Sequence, residues 1–177
     1  DDTVFHLDGS VDPMRDVTTV LSELILNDLL FVEKRLERIA KETVRRAGVD
    51  RAKEQEMLTT LQAHLNENLP LRTLALAAEE EKLLSGAPLL SRKALLLVLN
   101  VGEDRVQDAE LPNRVKAQYA AQRIHLVQVS AKIEEELAQL ENPQERAAFL
   151  KELGIEESAI DRLTRVSYEA LGLISYF

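Results

Sequence analysis

The sequence predicts an α/β fold with a mainly parallel sheet, interrupted by an inserted antiparallel helical arm. Two short apolar runs, Leu95–Leu99 and Ile124–Val129, have the length and composition of strands, and Asn113–Gln122 between them is compatible with a helix. A strand, a helix and a second strand in this order are typical of the βαβ unit of parallel sheets. The stretch from Met14 to about Ala47 contains no Gly or Pro, which predicts a long helix outside that unit.

The first helix carries its apolar residues at the spacing of a coiled-coil seam: Val17, Leu21, Ile25, Leu29, Val32, Leu36 and Ile39. A turn at Ala47–Asp50, with Asp50 as the capping residue, precedes a second helical segment with leucines three and four residues apart. We therefore expect an antiparallel helical hairpin that ends near Pro70. A connector and a short helix follow over Leu71–Leu84.

Both predicted strands end in polar residues. Leu95–Leu99 lies between charged residues and a glycine, which favours a strand buried on both faces, and it is followed by Asn100 and Glu103. The second strand ends on Ser130-Ala131-Lys132. Ligands of open α/β sheets bind outside the carboxyl ends of the strands, so these residues form a candidate site.

Three helices are expected after the second strand, over Ala131–Leu140, Gln144–Leu153 and Glu156–Leu171. Asn142-Pro143 and Gly154 separate them, and Ser158 or Glu156 is suited to begin the last one.

The two strand-end motifs resemble the base-reading motifs of translation-factor P-loop nucleotidases. Most of those proteins carry Asn-Lys-x-Asp, whereas Asn100-Val101-Gly102-Glu103 is similar to the variant of the Obg-like ATPase, or YchF, family. Six further segments resemble that family in the same order: 6–16, 23–28, 32–36, 89–93, 153–158 and 171–177. Ala94 and Ser91 depart from the family pattern, which usually has Pro and Thr there.

The resemblance implies a partial P-loop NTPase with a Rossmann-like sheet, without the P-loop and the C-terminal TGS domain. Residues 1–13 and 87–177 would belong to the nucleotide-binding domain, and residues 14–86 would form the inserted coiled-coil arm and its connector. The chain therefore looks truncated at its front.

The resemblance also implies ATP with Mg²⁺ as the ligand, and ATP over GTP. Asn100 and Val101 would line the base, because an Asn side chain can bind N6 and N7 of adenine. Glu103 replaces the Asp that would accept from guanine. On the other side of the base the resemblance places Ser130, Ala131 and the aliphatic stem of Lys132. The alternative is structural: the Asn and the Ser cap the turns between strands and helices.

No segment matches the Gly-x-x-x-x-Gly-Lys-Ser/Thr loop that holds phosphates and positions Mg²⁺. Phosphoryl transfer depends on that positioning, so we expect this stretch alone not to hydrolyse ATP. The phosphate and Mg²⁺ ligands are expected upstream.

The charge is unevenly distributed. The chain has a net charge of −9, yet residues 33–53 contain eight Lys and Arg and four acids. One interpretation is contact with phosphates of ribosomal RNA, and the other is a solvated helix face with i,i+4 ion pairs. The resemblance to a ribosome-associated family favours the first, with these candidate contacts: Arg35, Arg38, Lys41, Arg45, Arg46, Arg51 and Lys53.

Several other classes of function are disfavoured. The chain has no Cys, which excludes thiol catalysis and disulfides within it, and no Trp. His64 and Glu67 share a helix face but lack further metal ligands, and the acids at 79–81 and 134–136 are expected to be solvated. No run is long enough to span a bilayer, so a cytoplasmic monomer is expected. The alternatives in function are a non-catalytic helical RNA- or protein-binding module, and a GTPase.

Overall fold

The computed structural model describes residues 9–41 and 49–173 of the chain. It divides into two compact units. One covers Asp12–Lys93, and the described residues of the other lie before Asp12 and from Ala94 onward. Among the described residues, no helix is both long and apolar enough to cross a membrane.

The unit Asp12–Lys93 is helical. Its elements are α1 at Pro13–Lys41, α2 at Val49–Asn66 and α3 at Ala78–Leu84, with a short 3-10 turn at Leu71–Thr73 between α2 and α3. The carboxylate of Asp12 accepts hydrogen bonds from the backbone N–H groups of Met14 and Arg15, both at 3.1 Å, and so caps the start of α1. The short helix carrying the acids at 79–81 is as predicted.

The long helices α1 and α2 pack against each other along the predicted seam. Five seam residues of α1 are buried, and three of them, Ile25, Val32 and Ile39, belong to the core shared with α2. Leu29 and Leu36 are half-buried against that core. α2 contributes Met57, Leu58, Leu61 and Leu65. Arg51 near the start of α2 contacts the carbonyl of Ile39 near the end of α1, while Gln62 lies 3.5 Å from Glu33, so the helices run antiparallel. A coiled-coil supercoil stays a prediction.

At the hairpin turn one prediction is wrong, and another falls outside the described residues. α2 already includes Val49, so Asp50 lies inside the helix and the prediction that it is the N-cap is wrong. The predicted continuation of α1 to Ala47 falls on residues outside the described ranges.

The second unit contains the predicted βαβ pattern. β1 at Leu95–Asn100 and β2 at Ile124–Val129 pair in parallel, with Leu95 opposite Ile124 and Asn100 opposite Val129. α4 at Glu110–Tyr119, extended by a 3-10 turn at Ala120–Gln122, connects them. The helix therefore begins three residues before the predicted Asn113.

Three helices follow β2, as predicted: α5 at Ala131–Gln139, α6 at Pro143–Glu152 and α7 at Ala159–Leu171. Ser158 is the N-cap of α7, with its hydroxyl accepting from the N–H of Asp161 at 3.1 Å. The core of this unit lies between the sheet and α7, where Val127, Val129 and Ala159 are buried.

The expectation that β1 is buried on both faces is wrong for the described residues. Leu99 is buried, but Leu95–Leu97 are half-buried and Val98 is 42% exposed. The reason is the size of the sheet: β1 has β2 as its single strand neighbour in this part of the chain. An apolar run therefore identifies a strand here without identifying what covers it.

Candidate functional site

The parallel pairing places the two polar motifs at the same edge of the sheet. Asn100 lies opposite Val129, and the backbone N–H of Val101 donates to the carbonyl of Val129 at 2.9 Å. Each strand then continues directly into its motif. The carboxyl ends of neighbouring parallel strands are where α/β proteins bind ligands.

A direct hydrogen bond joins the motifs. The side-chain oxygen Oδ1 of Asn100 accepts from the backbone N–H of Ala131, the first residue of α5, at 3.0 Å. Ser130 precedes that helix but its own side chain makes no capping bond. Asn100 therefore caps α5, as the structural interpretation expected. The same bond fixes the amide so that Nδ2 is the group left for a ligand.

An ion pair also spans the site. The ammonium group of Lys132 lies 2.7 Å from Oε1 of Glu103. This hydrogen bond and the charge of Glu103 raise the pKa of Lys132, and the charges of Glu136 and Glu135 add to the effect. The pair is exposed to solvent, and it engages the oxygen Oε1 of Glu103.

Ser130 and Val101 complete the predicted set. Ser130 is 3% exposed, and its hydroxyl oxygen is buried without a hydrogen-bond partner among the described residues. An unpaired buried hydroxyl costs about 1–3 kcal/mol, which indicates a site where the partner comes from elsewhere. Val101 is half-buried and directly follows the last residue of β1.

These groups fit the edge of a purine base. Nδ2 of Asn100 can donate to the ring nitrogen N7, and Oδ1 has a second lone pair that can accept from the amino group N6 of adenine. The amide can therefore contact the N7 edge of a purine.

The turn after β1 is held by a residue that the sequence analysis missed. Gln128, on β2, donates from Nε2 to the carbonyls of Arg105 at 2.9 Å, Val106 at 3.0 Å and Asp108 at 2.9 Å. The signal was present as a polar residue in the apolar run Ile124–Val129, but nothing in the sequence showed its partners.

The basic residues predicted to contact RNA have different surroundings. Arg35 pairs with Glu54 of α2 at 2.7 Å, Lys53 lies 3.6 Å from Glu79, and Lys41 lies 3.3 Å from Glu37. Arg51 donates to the carbonyl of Ile39. The structure therefore uses Arg35 and Arg51 to join the two helices.

The remaining predicted contacts are Arg38, Arg45 and Arg46. Arg38 is exposed on α1, and it lines a shallow depression together with Lys34, Glu37 and Lys41. Arg45 and Arg46 lie outside the described residues.

The helical unit also contains a buried polar cluster that the sequence analysis did not identify. Asp28 is fully buried, and its two carboxylate oxygens accept from the backbone N–H groups of Leu90 at 2.8 Å and Ser91 at 2.7 Å. Ser91 in turn accepts from the N–H of Leu71 at 3.1 Å through its hydroxyl and from that of Arg72 at 3.0 Å through its carbonyl. Burial lowers the pKa of Arg72. The cluster ties α1 to the segments on both sides of α3.

His64 has structural partners, since its Nε2 lies 2.9 Å from Oγ1 of Thr73 and 3.3 Å from the carbonyl of Pro70. In the described part of the chain, no group of three or more His, Asp or Glu side chains could hold a metal ion.

The fold and the site together define an α/β unit that carries polar motifs at the carboxyl edge of a parallel sheet, and the helical hairpin forms a separate unit. No family model matches the chain. Curated relatives do: the chain is 39% identical over 180 residues to the ribosome-binding ATPase YchF of Bacillus subtilis, with 100% of this chain and 49% of the relative covered. It is 31% identical over 176 residues to the protein of that name from Escherichia coli O157:H7, covering 99% of this chain and 48% of the relative.

A eukaryotic relative and a solved structure agree. Obg-like ATPase 1 of Caenorhabditis elegans is 29% identical over 181 residues, which is 100% of this chain and 45% of the relative. The structure of the Schizosaccharomyces pombe YchF GTPase matches with a TM-score of 0.83 at 26% identity, over 97% of this chain and 47% of that one. The resemblance to the Obg-like ATPase and YchF family is confirmed over the whole chain, which spans about half the length of these relatives.

Proposed function

We propose that this chain provides the adenine-recognition part of a nucleotide site in a ribosome-associated ATPase of the YchF type. The observation that carries the proposal is the hydrogen bond from the N–H of Ala131 to Oδ1 of Asn100. It joins the two predicted motifs and leaves the amide nitrogen of Asn100 for N7 of a purine. The names of the relatives support nucleotide use and ribosome binding in the whole protein.

ATP is preferred over GTP in this proposal. A guanine base presents two donors, N1–H and the N2 amino group, which need a free carboxylate. Glu103 is instead paired with Lys132 at 2.7 Å. A guanine would compete with Lys132 for this carboxylate, while adenine has no need of it. The structure match is titled a GTPase and the curated relatives are named ATPases, so base preference is the property to measure.

The chain supplies the base end of the site and not the phosphate end. No Gly-x-x-x-x-Gly-Lys-Ser/Thr segment occurs in the sequence, so the residues that bind the phosphates and Mg²⁺ lie outside it in this proposal. ATP hydrolysis then requires the longer protein, and this chain alone is inactive. The setting is cytoplasmic and monomeric, as expected for a ribosome-associated factor.

The test uses a chain extended at its front to include the expected phosphate-binding half. Fluorescently labelled ATP and GTP are titrated against the unsubstituted protein and Asn100→Ala. We expect an ATP preference that Asn100→Ala reduces about 10-fold or more, because a good bidentate contact to a base contributes about 1–3 kcal/mol of discrimination.

Asn100 also caps α5, so the two roles must be separated. Asn100→Asp is the matched control, because it keeps Oδ1 as the cap and removes the Nδ2 donor. Weaker binding of both nucleotides by Asn100→Asp without a change in melting temperature supports base reading, because N7 is common to adenine and guanine. Unchanged affinities in both variants contradict the proposal, and binding of neither nucleotide by the extended protein favours a non-catalytic helical RNA- or protein-binding module.

The second part of the proposal is contact between the helical arm and ribosomal RNA. Arg38 is the clearest candidate, because it is exposed while Arg35 and Arg51 join α1 to α2. Lysine and arginine contacts to phosphates make affinity fall with salt. Arg38→Glu should weaken co-sedimentation with ribosomes and reduce its salt dependence. Arg114→Glu, an exposed residue of α4, is the control. Equal binding by both variants would leave the basic run as a solvated helix face.

A further inference from the structure

The carboxamide of Gln128 lies at the centre of three backbone carbonyls. Its nitrogen Nε2 is 2.9 Å from the oxygen of Arg105, 3.0 Å from that of Val106 and 2.9 Å from that of Asp108. The NH₂ group carries two protons, so one of them is shared between two carbonyls.

This contact acts on the turn that carries Glu103. Glu103–Arg105 is a 3-10 turn, closed by the hydrogen bond from the N–H of Arg105 to the carbonyl of Gly102 at 3.0 Å. Fixing the carbonyls of Arg105 and Val106 fixes the end of that turn. Gln128 is opposite Leu99 in the sheet, one residue before the strand end, so the loop is anchored to the sheet itself.

A second carboxamide holds the same loop from the other side. Gln107 donates from Nε2 to the carbonyl of Leu153, at the end of α6. The following residue, Gly154, has a φ of +67°. The loop between β1 and α4 is thus fixed to β2 and to the turn between α6 and α7. Its conformation depends on side chains that do not touch the proposed base site.

We infer that Gln128 is a positioning residue that sets the base preference of the site by holding the turn that carries Glu103. This rests on the proposed adenine site. With the turn fixed, Glu103 stays beside Lys132, which contacts its Oε1 at 2.7 Å and competes with guanine N1–H and N2–H for the carboxylate. When the turn is loosened, Glu103 can reach those donors, so affinity for GTP rises relative to ATP.

Two substitutions test the inference in the front-extended chain. Gln128→Glu places carboxylate oxygens against three carbonyl oxygens and repels the turn, and Gln128→Leu removes the donor at similar size. We expect both to lower the ratio of ATP to GTP affinity about fivefold or more, because the loosened turn lets Glu103 move away from Lys132 and towards the donors of guanine. Gln139→Glu, on the exposed surface of α5, makes the same charge change as a control.

The readout is the affinity ratio together with the melting temperature. A lower ratio in a folded variant, driven by tighter GTP binding, supports the inference, whereas a merely structural role would weaken both nucleotides equally and leave the ratio unchanged. An unchanged ratio overturns it. Failure of both variants to fold also overturns it, because Gln128 would then be required for folding of the sheet and not for base preference. The proposed function itself fails if the unsubstituted protein shows no ATP preference and Asn100→Asp leaves the affinity for both nucleotides unchanged. The inference on Gln128 fails separately if the unsubstituted protein prefers ATP and the Gln128 variants keep that preference.

Discussion

Asp28→Asn is the substitution whose effect the structure determines most directly. Asp28 is fully buried, and one carboxylate oxygen accepts from each of two backbone N–H groups, of Leu90 and Ser91. Asn has the same shape, so no cavity forms, but its NH₂ group must face one of the two N–H donors. The bond to Ser91 is fully buried, whereas that to Leu90 is partly open to water.

The expected loss follows from those two bonds. A hydrogen bond to a charged group contributes about 1.5–3 kcal/mol, and a buried donor left unpaired costs a similar amount. Since water can reach the amide of Leu90, we expect Asp28→Asn to lower the free energy of unfolding by about 2–4 kcal/mol. Glu23→Gln is the matched control, because Glu23 is an exposed acid of the same helix, and it should change stability by less than about 0.5 kcal/mol.

Two measurements check this prediction. Urea denaturation followed by far-ultraviolet circular dichroism gives the global loss, and amide hydrogen exchange at Leu90 and Ser91 gives the local one. Faster exchange at these two amides, with little change in α1, is expected. A loss below about 1 kcal/mol with unchanged protection of both amides would refute the reasoning, because the carboxylate would then not be holding this segment.

Two further predictions concern the site and its loop. Glu103 accepts a hydrogen bond from the ammonium group of Lys132, and this raises the pKa of Lys132 above its ordinary value of 10.5. The attraction between the two charges is complete below pH 10.5 and is lost as pH rises through the raised pKa. Glu103→Gln should therefore move the alkaline titration of the Lys132 side chain, followed by NMR, to lower pH, and an unmoved titration would show that the pair does not form. Gly154→Ala should destabilise the chain by about 1–2 kcal/mol in thermal unfolding, because φ is +67° and the new Cβ would lie 2.6 Å from Nε2 of Gln107. Gly86→Ala, where a Cβ meets no atom within 4 Å, is the control, and equal effects of the two substitutions would contradict the explanation.

The local elements could be predicted from the sequence because their signals are local. The seam spacing along α1, the apolar runs of β1 and β2, and the capping residue Ser158 of α7 all depend on residues a few positions apart. Small errors remain in the helix starts, at Asp50 and before Asn113, and the error on β1 arises where tertiary surroundings decide. Val98 belongs to an apolar run, yet it is exposed because the strand has a single neighbour in the described part of the chain.

By itself the sequence determined the motif residues at the strand ends, the helical hairpin and the uneven charge. Tertiary structure alone decided how those residues are used. Asp28 and Ser91 are 63 positions apart, and Asn100 and Ala131 are 31 apart, so no periodicity relates them. The same holds for Arg35, which a charge count groups with Arg38 but which pairs with Glu54 across the hairpin. A side chain's partner depends on which distant backbone and side-chain groups the fold brings within hydrogen-bond distance. Local sequence patterns do not encode which groups those are.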